Sequence, residues 1–355
     1  MTDQSEARIG KLDSLRGIAA LMVVVSHCGV PVDLDAHGFF FWLPVFWDGV
    51  SAVIMFFLLS GYVLGLQLGS PGRPGFAGYL IRRFMRIWPA FAVTLVLSYL
   101  VLTALGLPAG SVWPNRHGAP HVPVPGDLLQ NLLMAGNPYA IVGPAWSLYV
   151  EMRLSIVFPL LFLLAYRLNF FPAALISVAL SVIGSRLVHW DMPEFLLSLA
   201  DACRYLCLFV IGAALSRPDN PVANLYGRMP FAAKAAGLAL AFCCLAYRFI
   251  PLDLPAKNYV PWIGVTWLFI HCLYANSSAR LLNRDSLLFL GRISYGLYLV
   301  HYPVLQVANA FTPKAWSLLV VLPISVLLAW ILNRGVEQPM IRIGRNLHPP
   351  SVCRP

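Results

Sequence analysis

Charge is scarce in this chain. Asp, Glu, Lys and Arg together make 11% of its 355 residues, where an ordinary soluble domain carries about 25%. That scarcity, with 59% hydrophobic residues and a mean hydropathy of +0.72, excludes a pair of soluble domains of the kind its length would allow. Cysteine is sparse as well: the seven are odd in number and include no CxxC pair, so neither a disulfide framework nor a thiolate metal site is expected. No GxGxxG or GxxxxGK[ST] loop occurs, which speaks against a nucleotide-driven pump. His117 and His121 have no further ligand pair near them, and no metal is expected. No internal repeat is visible. The start, MTDQSEARIGKLDS, is polar, so no cleavable signal peptide is expected, nor a soluble domain appended at either end.

What the chain does have is apolar runs along its whole length. A helix needs about 20 apolar residues to cross a bilayer, and helices satisfy the backbone there. Ten such runs are read at about 12–30, 48–68, 87–107, 145–166, 171–189, 202–216, 231–250, 260–277, 287–308 and 315–334. The expected fold is therefore all-α, a polytopic integral membrane bundle of about ten transmembrane helices. It forms one membrane domain over residues 1–345, with a short basic cytoplasmic tail at 346–355. With both termini in the cytoplasm, 18 of the 25 Lys and Arg fall on the inner side and 6 on the outer, with Arg153 inside a helix. That bias orients the protein in a bacterial-type inner or plasma membrane. It also accounts for the net charge of +10 without nucleic acid as a partner.

The polar residues inside these runs are few, and polar residues in lipid usually mean function. In LDSLRGIAALMVVVSH, Arg16 and His27 stand eleven residues apart, close to three turns, on one face and roughly 16 Å apart. Counting helix rise places His27, Glu151 and His301 at one level, roughly 20 Å above the cytoplasmic edge. A buried carboxylate and imidazole at matching depth make a general-base pair, the carboxylate orienting the ring. Below them, Arg82, Arg83 and Arg86 cluster at the start of the third run near Arg16, and forked guanidinium groups suit phosphates. Taken alone, each residue has a plainer role. His27 serves equally as a hydrogen-bonded core histidine, Glu151 as an ion-pair partner for Arg153 or Arg16, and the arginines as topogenic charges at lipid headgroups. A carrier or flippase exporting a small metabolite or lipid-linked sugar would also bury such groups, although it commonly shows inverted repeats that this chain lacks.

Five stretches, in order, resemble the membrane acyltransferase-3 family of polytopic O-acyltransferases. These are LDSLRGIAALMVVVSH, FFLLSGYVLG (56–65), RRFMRIWPA (82–90), PAWSLYVEMRLSIVFPLL (144–161) and LGRISYGLYLVHYPVL (290–305). The resemblance implies transfer of an acyl group, usually acetyl, from cytoplasmic acyl-coenzyme A to an acceptor hydroxyl on the far side. The acceptor would be a cell-surface glycan or a small molecule, with acyl-coenzyme A as co-substrate and no bound cofactor. It implies His27 as catalytic base and Glu151 as the buried acid of the fourth motif. Arg83 and Arg86, with Arg82 beside them and Arg16 near the donor path, would bind the donor. Asp13, Trp146, Tyr298 and His301 are expected to support the site. Ser14 stands where the family commonly has Gly, and Met152, Arg153 and Leu154 replace its frequent aromatics.

Overall fold

The computed structural model describes residues 3–29, 42–109, 121–135, 137, 139–190, 192–250, 256–257 and 259–347. The expected outer-loop residues Arg116 and His117 and the tail from 348 onward lie outside these. Among the described residues the architecture is helical, with one isolated β-bridge between Ala109 and His121. In chain order the helices are α1 (Asp3–His27), α2 (Gly49–Gly69), α3 (Phe76–Ala104), α4 (Pro125–Leu132), α5 (Ala145–Arg167), α6 (Phe170–Leu187) and α7 (Glu194–Leu215). They continue with α8 (Pro221–Arg228), α9 (Phe231–Ala246), α10 (Val260–Tyr274), α11 (Asn276–Leu282), α12 (Asp285–Phe311), α13 (Ser317–Leu332) and α14 (Gln338–Leu347).

Each of the ten expected runs coincides with a helix. Seven of the helical segments are long and apolar enough to cross a membrane: Gly49–Gly69, Phe76–Ala104, Ala145–Arg167, Phe170–Leu187, Phe195–Leu215, Phe231–Phe249 and Ser317–Leu347. Helices α1 and α12 have the length, at 25 and 27 residues, but their polar residues dilute them. Helix α10 is apolar but only 15 residues long. The two diluted helices are the ones that carry His27 and His301. Apolar side chains on the outer faces, such as Leu160 on α5 and Leu175 on α6, are about 70% exposed (69% and 72%), as a lipid-facing surface requires.

Helix starts follow local chemistry. Asp48 caps α2 by accepting from the Val50 and Ser51 amides, and Asn220 caps α8 through the Ala223 amide. Pro89, Pro159, Pro303 and Pro323 lie inside helices, and the Ser155 carbonyl that Pro159 frees accepts from the Tyr79 hydroxyl of α3.

Helices α1 and α12 make the contact that positions the site. Gly17 and Gly291 meet face to face, and a methyl group on either would run into the other helix's backbone. Ten residues further along each helix, His27 meets His301. Equal steps from one contact to the next mean that the two helices run parallel in register, rising together by about 15 Å. Ser14, the departure noted in the first motif, is buried and donates to the Leu282 carbonyl, tying α1 to the end of α11. Gly291→Leu therefore parts α1 from α12. The expected result is a fall in thermal stability of at least about 1–3 kcal/mol, the cost of overpacking, together with loss of the His27–His301 contact. Melting curves of the purified variant measure the fall. Gly227→Ala, whose added methyl meets nothing within 4 Å, stays neutral.

The segment after Glu337 follows the last of the ten expected runs. There α14 forms and docks on α3, with Gly344 close against Met85 and the Arg82 backbone. The sequence in that stretch alternates polar and apolar residues at helical spacing, but its shortness hides the period.

Candidate active site

A cavity of about 570 Å³ opens among α1, α2, α3, α5, α12 and α14. Six arginines line it: Arg16 from α1, Arg82, Arg83 and Arg86 from α3, Arg292 from α12 and Arg345 from α14. Asp13, Glu151 and Glu337 are the carboxylates on its wall. Three positive charges are thus in formal excess, in a space that Phe56, Phe57, Val63 and Leu64 close on one side.

The arginines are held differently. Arg83 is 8% exposed and tied to α5: its Nη2 donates to Glu151 Oε1 at 2.8 Å and to Ser155 Oγ at 2.9 Å, and its Nε also donates to Ser155 Oγ. Tyr79 locks the same turn by donating to the Ser155 carbonyl. Arg16 pairs with Asp13 one turn before it, at 3.2 Å. Arg86 and Arg16 lie close enough to repel one another, and both attract Glu337. Glu337 is 3% exposed and accepts from Asn333 Nδ2 at 2.8 Å.

Glu151 does not orient His27. Its carboxylate accepts from Ser60 Oγ and from Arg83, so the expected imidazole–carboxylate pair is replaced by a guanidinium–carboxylate pair. The reason lies in where α5 begins. Residues Ala140, Ile141, Val142 and Ala145 are buried, so the helix starts inside the protein and Glu151 sits deeper than a count from the membrane edge gives. At that depth a buried guanidinium outcompetes a neutral ring for the carboxylate. Arg153, the other proposed partner, donates instead to the Met134 carbonyl and lies over the Tyr149 ring.

The expected level match of His27 with His301 is present. His27 Nδ1 is 2.8 Å from the Val23 carbonyl and 3.4 Å from His301 Nε2, and the two ring centroids are 5.1 Å apart. His301 is fully buried, with its Nδ1 3.1 Å from the Leu297 carbonyl. Carbonyl oxygens only accept, so both Nδ1 atoms carry hydrogen. The single His27 Nδ1–H goes to the Val23 carbonyl, the unprotonated His301 Nε2 at 3.4 Å is a longer second acceptor of that same hydrogen, and His27 Nε2 is left unprotonated. His301 holds the position expected for Glu151.

Tyr298 links the two levels. It lines the cavity, lies one turn below His301, and its hydroxyl donates to the Pro144 carbonyl while Ser147 Oγ is 2.6 Å away. The cavity wall reaches Ser147 and Tyr298; the histidines lie just beyond it. Trp146 faces elsewhere, packed with Phe57 and Tyr205. Ser60, Ser155, Arg292, Glu337, Gln338 and Arg345 join the site without having stood out in the sequence. Glu337 alone carried a signal, as one of few carboxylates beside an apolar run.

Residues 9–334 match the family described as Acyltransferase domain. The chain is 32% identical to acyltransferase MdmB of Streptomyces mycarofaciens over 45% of its own length and 41% of that protein. It is 26% identical to the putative peptidoglycan O-acetyltransferase YrhL of Bacillus subtilis over 95% of its length and 55% of that protein. With O-acetyltransferase OatA of Staphylococcus aureus the identity is 24%, over 94% of its length and 57% of that protein. The chain thus spans about half the length of these relatives. No solved structure matches it.

Proposed function

Because the chain belongs to this acyltransferase family, we propose that it is a membrane O-acyltransferase drawing on cytoplasmic acyl-coenzyme A. The acyl group, acetyl in the simplest case, passes to a hydroxyl of an extracytoplasmic or membrane-associated acceptor, and a cell-surface glycan is the favoured class. The observation that carries this is the convergence of six arginines in one cavity directly beneath a histidine pair. Coenzyme A brings several phosphate charges, and the cavity's excess of three positive charges is matched to them. Both termini lie in the cytoplasm in this arrangement, which the parallel course of α1 and α12 favours, since spans entering from the same side run the same way.

In the reaction, the phosphates rest on Arg16, Arg82 and Arg86, while the pantetheine arm runs past Ser147 and Tyr298 toward His27. Arg83 holds the wall in place through Glu151 and does not spend its charge on the donor. The acceptor hydroxyl gives its proton to His27 Nε2 as its oxygen attacks the thioester carbonyl. The carbon–sulfur bond breaks, and the imidazolium returns the proton to the departing thiolate. While His27 is charged, its Nδ1–H is held by the Val23 carbonyl, and the lone pair of His301 Nε2 stands 3.4 Å from the same nitrogen, so the positive ring faces acceptors in the interior.

Labelled acetyl-coenzyme A added to the protein in nanodiscs tests this, with surface glycans followed by mass spectrometry for an acetyl-sized shift. Protein-dependent loss of the thioester is expected. Arg86→Ala weakens donor binding about 10- to 100-fold, the worth of one charge-assisted hydrogen bond of about 1.5–3 kcal/mol. Transport of an acceptor without thioester consumption, or donor affinity unchanged in Arg86→Ala, overturns the assignment.

A further inference from the structure

Helix α14 is a part of the site that the motifs do not contain. From Ser317 to Leu347 the chain runs as one helix, but residues Asn333–Glu337 form a π turn within it. A π turn inserts an extra residue into the spiral and swings the next turns by about 100° relative to an unbroken α-helix. Such turns occur often at functional sites. Here the turn is pinned from inside: Asn333 Nδ2 donates both to the Arg292 carbonyl at 2.9 Å and to Glu337 Oε2 at 2.8 Å, and both side chains are buried.

The consequence is the direction in which α14 faces. Gln338, Ile341 and Arg345 succeed one another at spacings of three and four, so they share one helix face, and all three line the arginine-rich cavity. Gly344 seats the helix. A Cβ built there comes within 3.0 Å of the Met85 Cβ and 3.5 Å of the Arg82 Cα, so α14 lies tight against the arginine-bearing turn of α3 and a large side chain at 344 would push it away. The next residue, Arg345, lines the same cavity as Arg82. Arg342 and Arg345 are both exposed, but only Arg345 is on the cavity wall.

We propose that α14 is the retaining wall of the donor site, where Arg345 and Gln338 bind phosphate oxygens of the acyl donor. The π turn aims them inward. The inference rests on the acyl-coenzyme A reading given above, and adds donor-binding residues from the C-terminal helix to those of α1 and α3. A guanidinium on a docked helix has a second consequence: donor bound between α3 and α14 holds the helix against the bundle.

Steady-state kinetics with acetyl-coenzyme A in nanodiscs separates the possibilities, comparing Arg345→Ala, Arg345→Lys, Gly344→Leu, Arg342→Ala and the benchmark Arg86→Ala. The expected result is a rise of about tenfold or more in the donor KM for Arg345→Ala with kcat within about twofold, and a partial return in Arg345→Lys. Gly344→Leu, which lifts the helix, shows at least the same rise, and Arg342→Ala matches the wild-type protein. In parallel, acetyl-coenzyme A slows tryptic cleavage at Arg342 in the otherwise unaltered protein. An unchanged donor KM in Arg345→Ala and Gly344→Leu, with the KM raised in Arg86→Ala, removes α14 from the site and leaves the donor reading standing. An unchanged KM in Arg86→Ala as well removes both. Should Arg345→Ala fail to fold, Arg345→Lys and the cleavage assay still decide: no KM change and no protection by donor overturn the proposal.

Discussion

His27→Ala lowers acyl transfer by roughly 10²–10⁴-fold, the usual worth of a positioned general base, while donor affinity stays at the wild-type value. The separation follows from where the ring sits. His27 is half-buried at the end of α1, it bonds only its own helix and His301, and it lies beyond the cavity that holds the arginines. Its loss takes away the unprotonated Nε2 and little else. His301→Ala gives a smaller fall, because it removes the partner that stabilises the charged ring and leaves the base itself. The double variant is then no slower than His27→Ala alone, since residues that act as one unit lose their effect once. Single-turnover measurement of acetyl transfer, with donor titration on the same samples, checks all three. Normal product from His27→Ala would dismiss it as the base, and additive losses in the double variant would uncouple the two rings.

Glu151→Ala destabilises the protein before it affects chemistry. The residue neutralises Arg83, whose side chain is 10% exposed against 20% for the glutamate. Removing one member of a buried pair leaves an uncompensated charge, at a cost of about 3–5 kcal/mol. Ser155 remains as a neutral acceptor for Arg83 and places the expected value toward the lower end. Replacing both partners, Arg83→Met with Glu151→Leu, recovers most of the stability, because two apolar side chains of similar size need no counter-charge. It does not recover acyl transfer, since the cavity wall and its field are changed. Thermal unfolding in nanodiscs reads the first effect and donor turnover the second. A Glu151→Ala variant with unaltered melting temperature and no activity would make this carboxylate a participant in the reaction, as the sequence alone suggested.

These two expectations divide along a line visible in the residues themselves. His27 and His301 were legible as a pair because each lies in a helix entered from the same side, and height along a helix is a linear function of residue count. The arginine cluster was legible because Arg82, Arg83 and Arg86 share one helix face by spacing. Glu151 was misjudged because rise along an axis says nothing about where a helix begins within the fold, and α5 begins in buried loop. Arg345 was missed because α14 is ten residues long and its face depends on a π turn, a feature no periodicity announces.

The sequence by itself determined the material and the height of each group along its helix. Apolar runs long enough for lipid, arginines grouped by helical spacing, and histidines at one height are properties of the chain read one residue after another. Tertiary structure alone decided the partners. Glu151 belongs to Arg83 across 68 residues, His27 to His301 across 274, and α14 to α3 through a missing side chain at Gly344. Pairing inside a membrane protein is settled by which buried charge most needs a counter-charge and which backbones can approach, and both become known only when the helices pack.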